Sequence, residues 1–255
     1  MSDAISHRSD LAPAQNRIGR PYRWSDLQRF QLRARLALDP ATQRDAYALR
    51  YRSYLADGHI DPNPTSLFSD SYDSDPRSRT IVVYSGSEAI GSARASAMDI
   101  ADDGSFSTAP VPANAAFPDE IRGLVGRIDT AVRLRRAVEI TRLVRHPSFA
   151  ENQGLVFLLL RLVGHVITEL DPDVVLSCVR RNHVPFYNRL CFTTVAGPRS
   201  YPGLNFTTYL LACSRRDYGV VRRVAPVLDV GASERALYGA LLSGGEIAVA
   251  PDRAR

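Results

Sequence analysis

Asp70 and Asp73 stand three residues apart in a polar stretch, and Glu139 and Arg142 stand three apart in a largely apolar run. Arg94 falls between the two pairs in the chain, and Arg50 with Tyr54, four apart, precedes them. A carboxylate within hydrogen-bond reach of a substrate removes a proton, and a guanidinium holds a carboxylate through a planar fork. Gathered at one place, these side chains would make a binding or catalytic site. The same charges would also serve as an ion-pair clamp between loop and sheet, because removing one partner of a buried pair costs ~3–5 kcal/mol. The residues alone leave both roles open. Glu139 and Arg142 are an odd number apart, so on a regular strand they point to opposite faces. A β-bulge between them would bring both onto one face, and bulges often re-aim side chains beside active sites. Cys178, Cys191 and Cys213 have apolar neighbours that raise a thiol pKa, which makes them weak nucleophiles.

The elements that must carry these residues follow from periodicity. Phe30, Leu32, Ala34 and Leu36 alternate with Gln31, Arg33 and Arg35, the period of a half-buried strand. Asp39-Pro40 opens a helix from about Ala41 to Leu55, closed by Gly58, which carries Arg50 and Tyr54. His59 to Arg79, with three prolines, five serines and four aspartates, has loop composition. It also holds Phe68 and Tyr72, which water does not favour. Thr80–Tyr84 and Ala89–Ala95 flank Ser85-Gly86-Ser87 and predict a hairpin, with Arg94 ending its second strand. An irregular connection, Met98–Ala116, leads to a short helix near Asp119–Val125. Val138, Ile140 and Leu143 mark a strand stopped by His146-Pro147. There follow an apolar helix at Gly154–Leu170, a buried strand at Val174–Val179 and a short helix at Pro185–Leu190. Phe192–Val195 and Thr207–Ala212 form a last strand pair. The order β, α, ββ, α, β, α, β, α, ββ predicts an α+β fold with a mixed, mostly antiparallel central sheet flanked by helices.

At ~150 residues per domain, 255 residues make one globular unit with modest extensions. Residues 1–20 read as a disordered tail, 21–214 as the domain, and 215–255 as an appended C-terminal extension with a short helix. That helix has Ser233 as its cap and Leu237, Leu241 and Leu242 on one face, for packing on its own domain or on a second copy. All 32 of the Lys+Arg residues are arginine. The absence of lysine excludes a pyridoxal Schiff base, a P-loop lysine and a lysine general base. A net charge of +5 permits anionic partners, and the dense cluster Arg133, Arg135 and Arg136 reads as solvated surface. No helix-turn-helix signal or basic helix is present, which argues against nucleic acid. Three cysteines without a CxxC argue against a disulfide framework or a zinc ribbon, and no metal site is expected; reduced thiols suit a cytoplasmic protein. Gly154–Leu170 is interrupted by Arg161 and His165, so no transmembrane segment is expected, and the first residues lack the apolar core of a secretory signal.

The element order, with the segment Val184-Pro185-Phe186-Tyr187-Asn188-Arg189-Leu190-Cys191-Phe192, resembles the Gcn5-related N-acyltransferase (GNAT) fold. Its late helix-to-strand junction usually reads F-Y-x-x-x-G-F, and Cys191 stands here where glycine is usual. The ordered series Arg50/Tyr54, Asp70-x-x-Asp73, Arg94, Glu139-x-x-Arg142 resembles the acyl-homoserine-lactone synthases and their relatives, the N-acyl amino acid synthases of the FeeM type. Lactone synthases usually carry Trp shortly after the first helix; here that stretch reads Gly58-His59-Ile60-Asp61, and the single Trp, Trp24, lies too early. The loop Gly197-Pro198-Arg199-Ser200-Tyr201-Pro202-Gly203-Leu204-Asn205 is also more similar to the N-acyl amino acid synthases.

The resemblance implies direct transfer of an acyl group from a thioester to an amine, with no acyl-enzyme and no permanently bound cofactor. Glu139, directly or through one water, would take the amine's proton. Arg142 or Arg94 would grip an amino acid's carboxylate, with Arg50, Tyr54, Asp70 and Asp73 in the same substrate-binding set. Main-chain amides of the middle strand would stabilise the oxyanion. Tyr187 sits where many members of the fold place a hydroxyl near the departing sulfur; a core tyrosine bonded to backbone is the other reading. Acetyl-coenzyme-A users of the fold carry a Q/R-x-x-G-x-G/A loop that cradles a diphosphate at a helix N-terminus. The loop His146–Gly154 lacks the second small residue, which suits the phosphopantetheine thioester of an acyl carrier protein as donor. Such carriers are acidic and match an Arg-rich face. The apolar helix that follows would line a groove for a long acyl chain or simply be core. The alternatives to an N-acyl amino acid synthase are a lactone synthase and a non-catalytic acyl-binding module.

Overall fold

A computed structural model describes residues 27, 30–101, 105–106, 111–127, 134–228 and 235–249. The expected N-terminal tail, Trp24, Arg133 and the Ser233 cap lie outside them. In chain order the elements are β1 (Leu32–Leu36), α1 (Pro40–Ala56), β2 (Ser78–Ser85), β3 (Glu88–Asp99), α2 (Pro112–Ala116), α3 (Pro118–Arg127), β4 (Arg136–Arg145), α4 (Gln153–Leu170), β5 (Val174–Val179), α5 (Val184–Arg189), β6 (Thr193–Ser200), β7 (Thr207–Ser214), α6 (Arg215–Val224), α7 (Arg235–Leu242) and β8 (Ile247–Val249). The strands form one sheet in the order β6-β7-β5-β4-β3-β2-β1-β8. Only β4 and β5 run parallel, because α4 carries the chain back over the sheet between them.

Local chemistry places α1. The Asp39 carboxylate accepts from the Thr42 amide at 2.9 Å and its hydroxyl at 2.7 Å, which caps the helix; Pro40 takes the first-turn position, where no N–H is needed. Gly58, at φ +68°, turns the chain out of the helix.

The two faces of the sheet differ in character. Ile81, Val83, Ala93, Ala95, Val138, Ile140 and Val175 pack under α4, whose Leu155, Leu158, Leu159, Leu162 and Val163 are buried. Gly91 allows this close packing, since a Cβ there would lie 3.1 Å from the Leu159 side chain. On the other face α1 covers Val82, Tyr84 and Val144, while α2 and α3 cover Met98, Ala137, Val174 and Leu176. The register aligns Ser92, Arg94 and Ser96 with Val144, Thr141 and Glu139, so a polar band runs between these two apolar patches.

By length and composition alone α4 could cross a membrane, but 67% of its best window is buried, as befits a core helix. The C-terminal region is no appendage. β8 pairs with β1 through Ala34↔Ile247, and Tyr238 of α7 stacks on His165 of α4 at 3.5 Å between ring centroids. β3 runs on to Asp99, so Arg94 lies in mid-strand rather than at its end. Cys191 carries φ +62°, a conformation glycine reaches without penalty, which accounts for the glycine usual in that motif.

Candidate active site

The polar band is closed by the loop between α1 and β2. One 3₁₀ turn, Ser71–Ser74, is pinned by its own aspartates: Asp70 accepts from the Tyr72 amide at 3.0 Å, and Asp73 from the Asp70 amide at 3.0 Å. The remaining carboxylate valence points inward. Arg50 Nη1 donates to both Asp73 oxygens at 2.7 and 2.8 Å, and its Nη2 to Thr80 Oγ1 at 3.1 Å. Arg94 Nη1 bridges Asp70 at 2.6 Å and Asp73 at 2.7 Å, Nη2 reaches Asp70 at 3.1 Å, and Nε reaches Thr141 Oγ1 at 3.2 Å. Arg142 binds Asp70 Oδ2 through Nη2 at 2.6 Å and Nε at 3.2 Å. Against the opposing effect of burial, the Arg94 and Arg142 guanidinium groups hold the Asp70 carboxyl well below the usual carboxylate range. Phe68 and Tyr72, out of place in a polar loop, roof the network: Phe68 lies 4.8 Å from the Arg142 guanidinium and Tyr72 5.8 Å from that of Arg94.

A bulge brings Arg142 to this face. Arg94 pairs with Thr141 but Ser92 pairs with Val144, so β4 holds an extra residue, and Arg142 takes φ +55°. The β4–β5 ladder stops at Ile140↔Ser177, just before the bulge, although both strands continue. A cavity of about 620 Å³ occupies the gap beyond. Tyr54, Arg142, Tyr187, Cys178, Arg180 and Tyr201 line it, with Ile140, Leu143, Val156 and Phe186 on its apolar walls.

Glu139 lies behind this wall, 0% exposed. Its Oε2 accepts from the Ala113 amide at 2.7 Å, and its Oε1 from the Tyr201 hydroxyl at 3.0 Å. Burial raises its pKa to about 7, against the pull of those two donors and of Arg94 and Arg142. Tyr201 faces the cavity and is itself held protonated by burial and by the Glu139 charge. Burial likewise raises the Tyr187 phenol, which bonds to Ser177. The three thiols are all pushed up, Cys213 to about 12.

The predicted residues thus fall into two groups. Tyr54, Arg142 and Tyr187 face the cavity, with Glu139 one hydroxyl away. Arg50, Asp70, Asp73 and Arg94 do not line it; they bond one another, and Arg50 and Arg94 are 0% exposed. Arg94 therefore has no nitrogen to offer a substrate carboxylate, and the acidic pair orients the arginines instead. In the sequence Tyr201 stands out only within the loop Gly197–Asn205. An aromatic among Pro198, Pro202 and Gly203 was the signal, the same one that Phe68 and Tyr72 gave. Arg180 and His59 carried no such mark.

A mixed sheet opened between its two parallel strands, with a cavity in the opening, is the architecture of the GNAT fold, and the chain has that fold. Residues 45–214 match the family model described as N-acyl amino acid synthase FeeM, and the chain belongs to that family. Among solved structures it is similar to FeeM, an N-acyl amino acid synthase from uncultured soil microbes, with TM-score 0.58 and 15% identity over 76% of this chain and 94% of that one. It is similar also to the CoA-dependent acyl-homoserine lactone synthase BjaI, with TM-score 0.54 and 16% identity over 76% and 89% of the two chains. The AHL synthase LasI follows, with TM-score 0.53 and 12% identity over 79% and 98%. At such identities the structural likeness shows the fold. No curated protein sequence matches the chain.

Proposed function

We propose that this N-acyltransferase moves a long-chain acyl group from the phosphopantetheine thioester of an acyl carrier protein to the amine of an amino acid, in the cytoplasm. The observation that carries the reading is the Glu139–Tyr201 pair: a carboxyl poised near pH 7 whose hydroxyl partner opens on the cavity in the β4–β5 gap. Glu139 draws a proton from the amine through Tyr201, which passes one proton on as it receives another. The neutral amine then attacks the thioester carbon. The β4 main chain beyond Ile140 has no ladder partner on β5, which leaves main-chain groups on that edge for the oxyanion. The carbon–sulfur bond breaks, and Tyr187, protonated and on the same cavity, supplies a proton to the thiolate.

The apolar walls of the 620 Å³ cavity, Ile140, Leu143, Val156 and Phe186, favour a long acyl chain. At the start of α4 the Asn152 side chain accepts from the Leu155 amide at 3.0 Å, so one amide that would face a diphosphate is occupied. That favours a carrier protein over coenzyme A, and exposed Arg181 and Arg189 suit an acidic partner. The free thiols Cys178, Cys191 and Cys213 suit a reducing compartment. Incubation with long-chain acyl carrier protein and mixed amino acids, followed by mass spectrometry, tests the reading. Acyl-amides are expected. Their absence with every amino acid and amine would remove it, and a product formed only with S-adenosylmethionine would move it to the lactone synthases.

A further inference from the structure

Arg142, Arg145 and Arg180 are the guanidinium groups on the cavity wall, and their engagements differ. Arg142 is held by Asp70 through two nitrogens. Arg145 donates to the Asn152 carbonyl at 3.1 Å, beside the start of α4. Arg180, just past the end of β5, has no carboxylate partner among the described residues. Its one hydrogen bond there runs from Nη1 to His59 Nε2 at 2.7 Å, and its guanidinium lies 5.6 Å from the Phe206 ring centre. Phe206 in turn packs edge-on against His59 at 4.7 Å. Asp57 approaches the imidazole at 3.6 Å, not the guanidinium.

This arrangement holds a guanidinium in place as a site for an anion. The imidazole accepts from Nη1 and so stays neutral, consistent with its lowered pKa under burial and the Arg180 charge. The aromatic face fixes the plane of the fork. Nε and Nη2 remain without a hydrogen bond among the described residues. A half-buried guanidinium with donors to spare and no counter-ion favours an anion that fits a planar fork. The position also selects which substrate brings that anion. His59 follows α1 and Phe206 precedes β7; α1 packs on the face of the sheet that carries Glu139, whereas α4 packs on the opposite face.

We infer that Arg180, set by His59 and Phe206, binds the carboxylate of the acceptor amino acid. This rests on the amino acid acylation reading and takes the place of the grip first expected of Arg142 or Arg94, both of which are held by Asp70. The test uses Arg180→Met, which keeps an unbranched apolar stem over Phe206, and Arg180→Lys. Each of the twenty amino acids is titrated beside its own carboxamide, by calorimetry and by acyl transfer from long-chain acyl carrier protein. Wild-type enzyme should prefer at least one free acid over its amide by about 10- to 100-fold, the scale of one charge-assisted interaction. Arg180→Met should raise KM for that acid by a similar factor with kcat and donor KM little changed, and Arg180→Lys should recover part of the loss. Equal binding of acids and amides, or no binding of either, overturns the assignment. A rise in donor KM instead puts a donor phosphate on Arg180 and also overturns it. Acyl transfer to amines with no preference for a carboxylate sinks this assignment while leaving N-acylation intact; no transfer at all sinks the functional reading itself.

Discussion

Glu139→Gln separates catalysis from architecture at one buried position. The amide fits the space: its oxygen accepts from the Ala113 N–H, and its NH₂ donates to Tyr201 Oη, since a phenol accepts as readily as it donates. The fold should therefore survive. In the wild type the carboxyl moves from its usual 4.5 to about 7 on folding. A group whose pKa is raised in the folded state contributes stability that is complete below the unfolded value and lost as pH rises through the folded one. The loss spans pH 4.5 to 7 and amounts to about 3 kcal/mol, because each unit of pKa is worth ~1.4 kcal/mol. Urea unfolding across that range should show this slope in the wild type, and a flatter line in the variant. The acyl-transfer rate should fall ~10²- to 10⁴-fold, and the wild type's rise in rate through pH 7 should vanish. A variant that keeps that rise, with a rate within tenfold of wild type, refutes Glu139 as the base. Equal pH slopes in the two unfolding series refute its shifted titration.

Four further outcomes follow from the same geometry. Tyr201→Phe removes the hydroxyl between cavity and carboxylate; it should slow transfer ~10²-fold or more at constant donor KM while leaving Glu139 in place, and near-normal rates would mean that Glu139 is reached another way. Tyr187→Phe should slow thiolate release, so the defect should shrink with thioesters of more acidic thiols; a uniform defect across thiols counts against a proton donor. Arg94→Met leaves Asp70 and Asp73 without their shared partner and should destabilise the fold by ~3–5 kcal/mol in denaturant titrations, and a loss under ~1 kcal/mol would show that the network is dispensable. Gly197→Ala places a Cβ 2.8 Å from the Tyr209 backbone at φ +136°, so it should lower the melting temperature and, through the loop that carries Tyr201, the rate as well. Unchanged values for both would contradict that packing.

The order of elements was legible because it rests on local rules. Strand alternation at Leu32–Leu36, the Asp39-Pro40 cap and the Gly86 turn need only neighbouring residues to act. The charged series was legible as a set, since charges in apolar strands and aromatics in a polar loop both violate solvation preferences. Its division of labour was not. Whether a guanidinium faces a ligand or a neighbour depends on where carboxylates more than 20 residues away come to rest, as Asp73 does on Arg50. The C-terminal strand was missed for a related reason: Ile247–Val249 is too short to show a period and exists because β1 offers it an open edge.

By its sequence alone, this chain determined which groups had to be buried: residues that water rejects, and charges too deep in apolar runs to stay solvated. Tertiary structure decided the rest. One extra residue in β4 turned Arg142 towards Asp70, the end of the β4–β5 ladder opened the cavity, and a loop from beyond β6 laid Tyr201 on Glu139. Those contacts join segments whose separation in the chain carries no local signal, and only the packed sheet brings them within a hydrogen bond of each other.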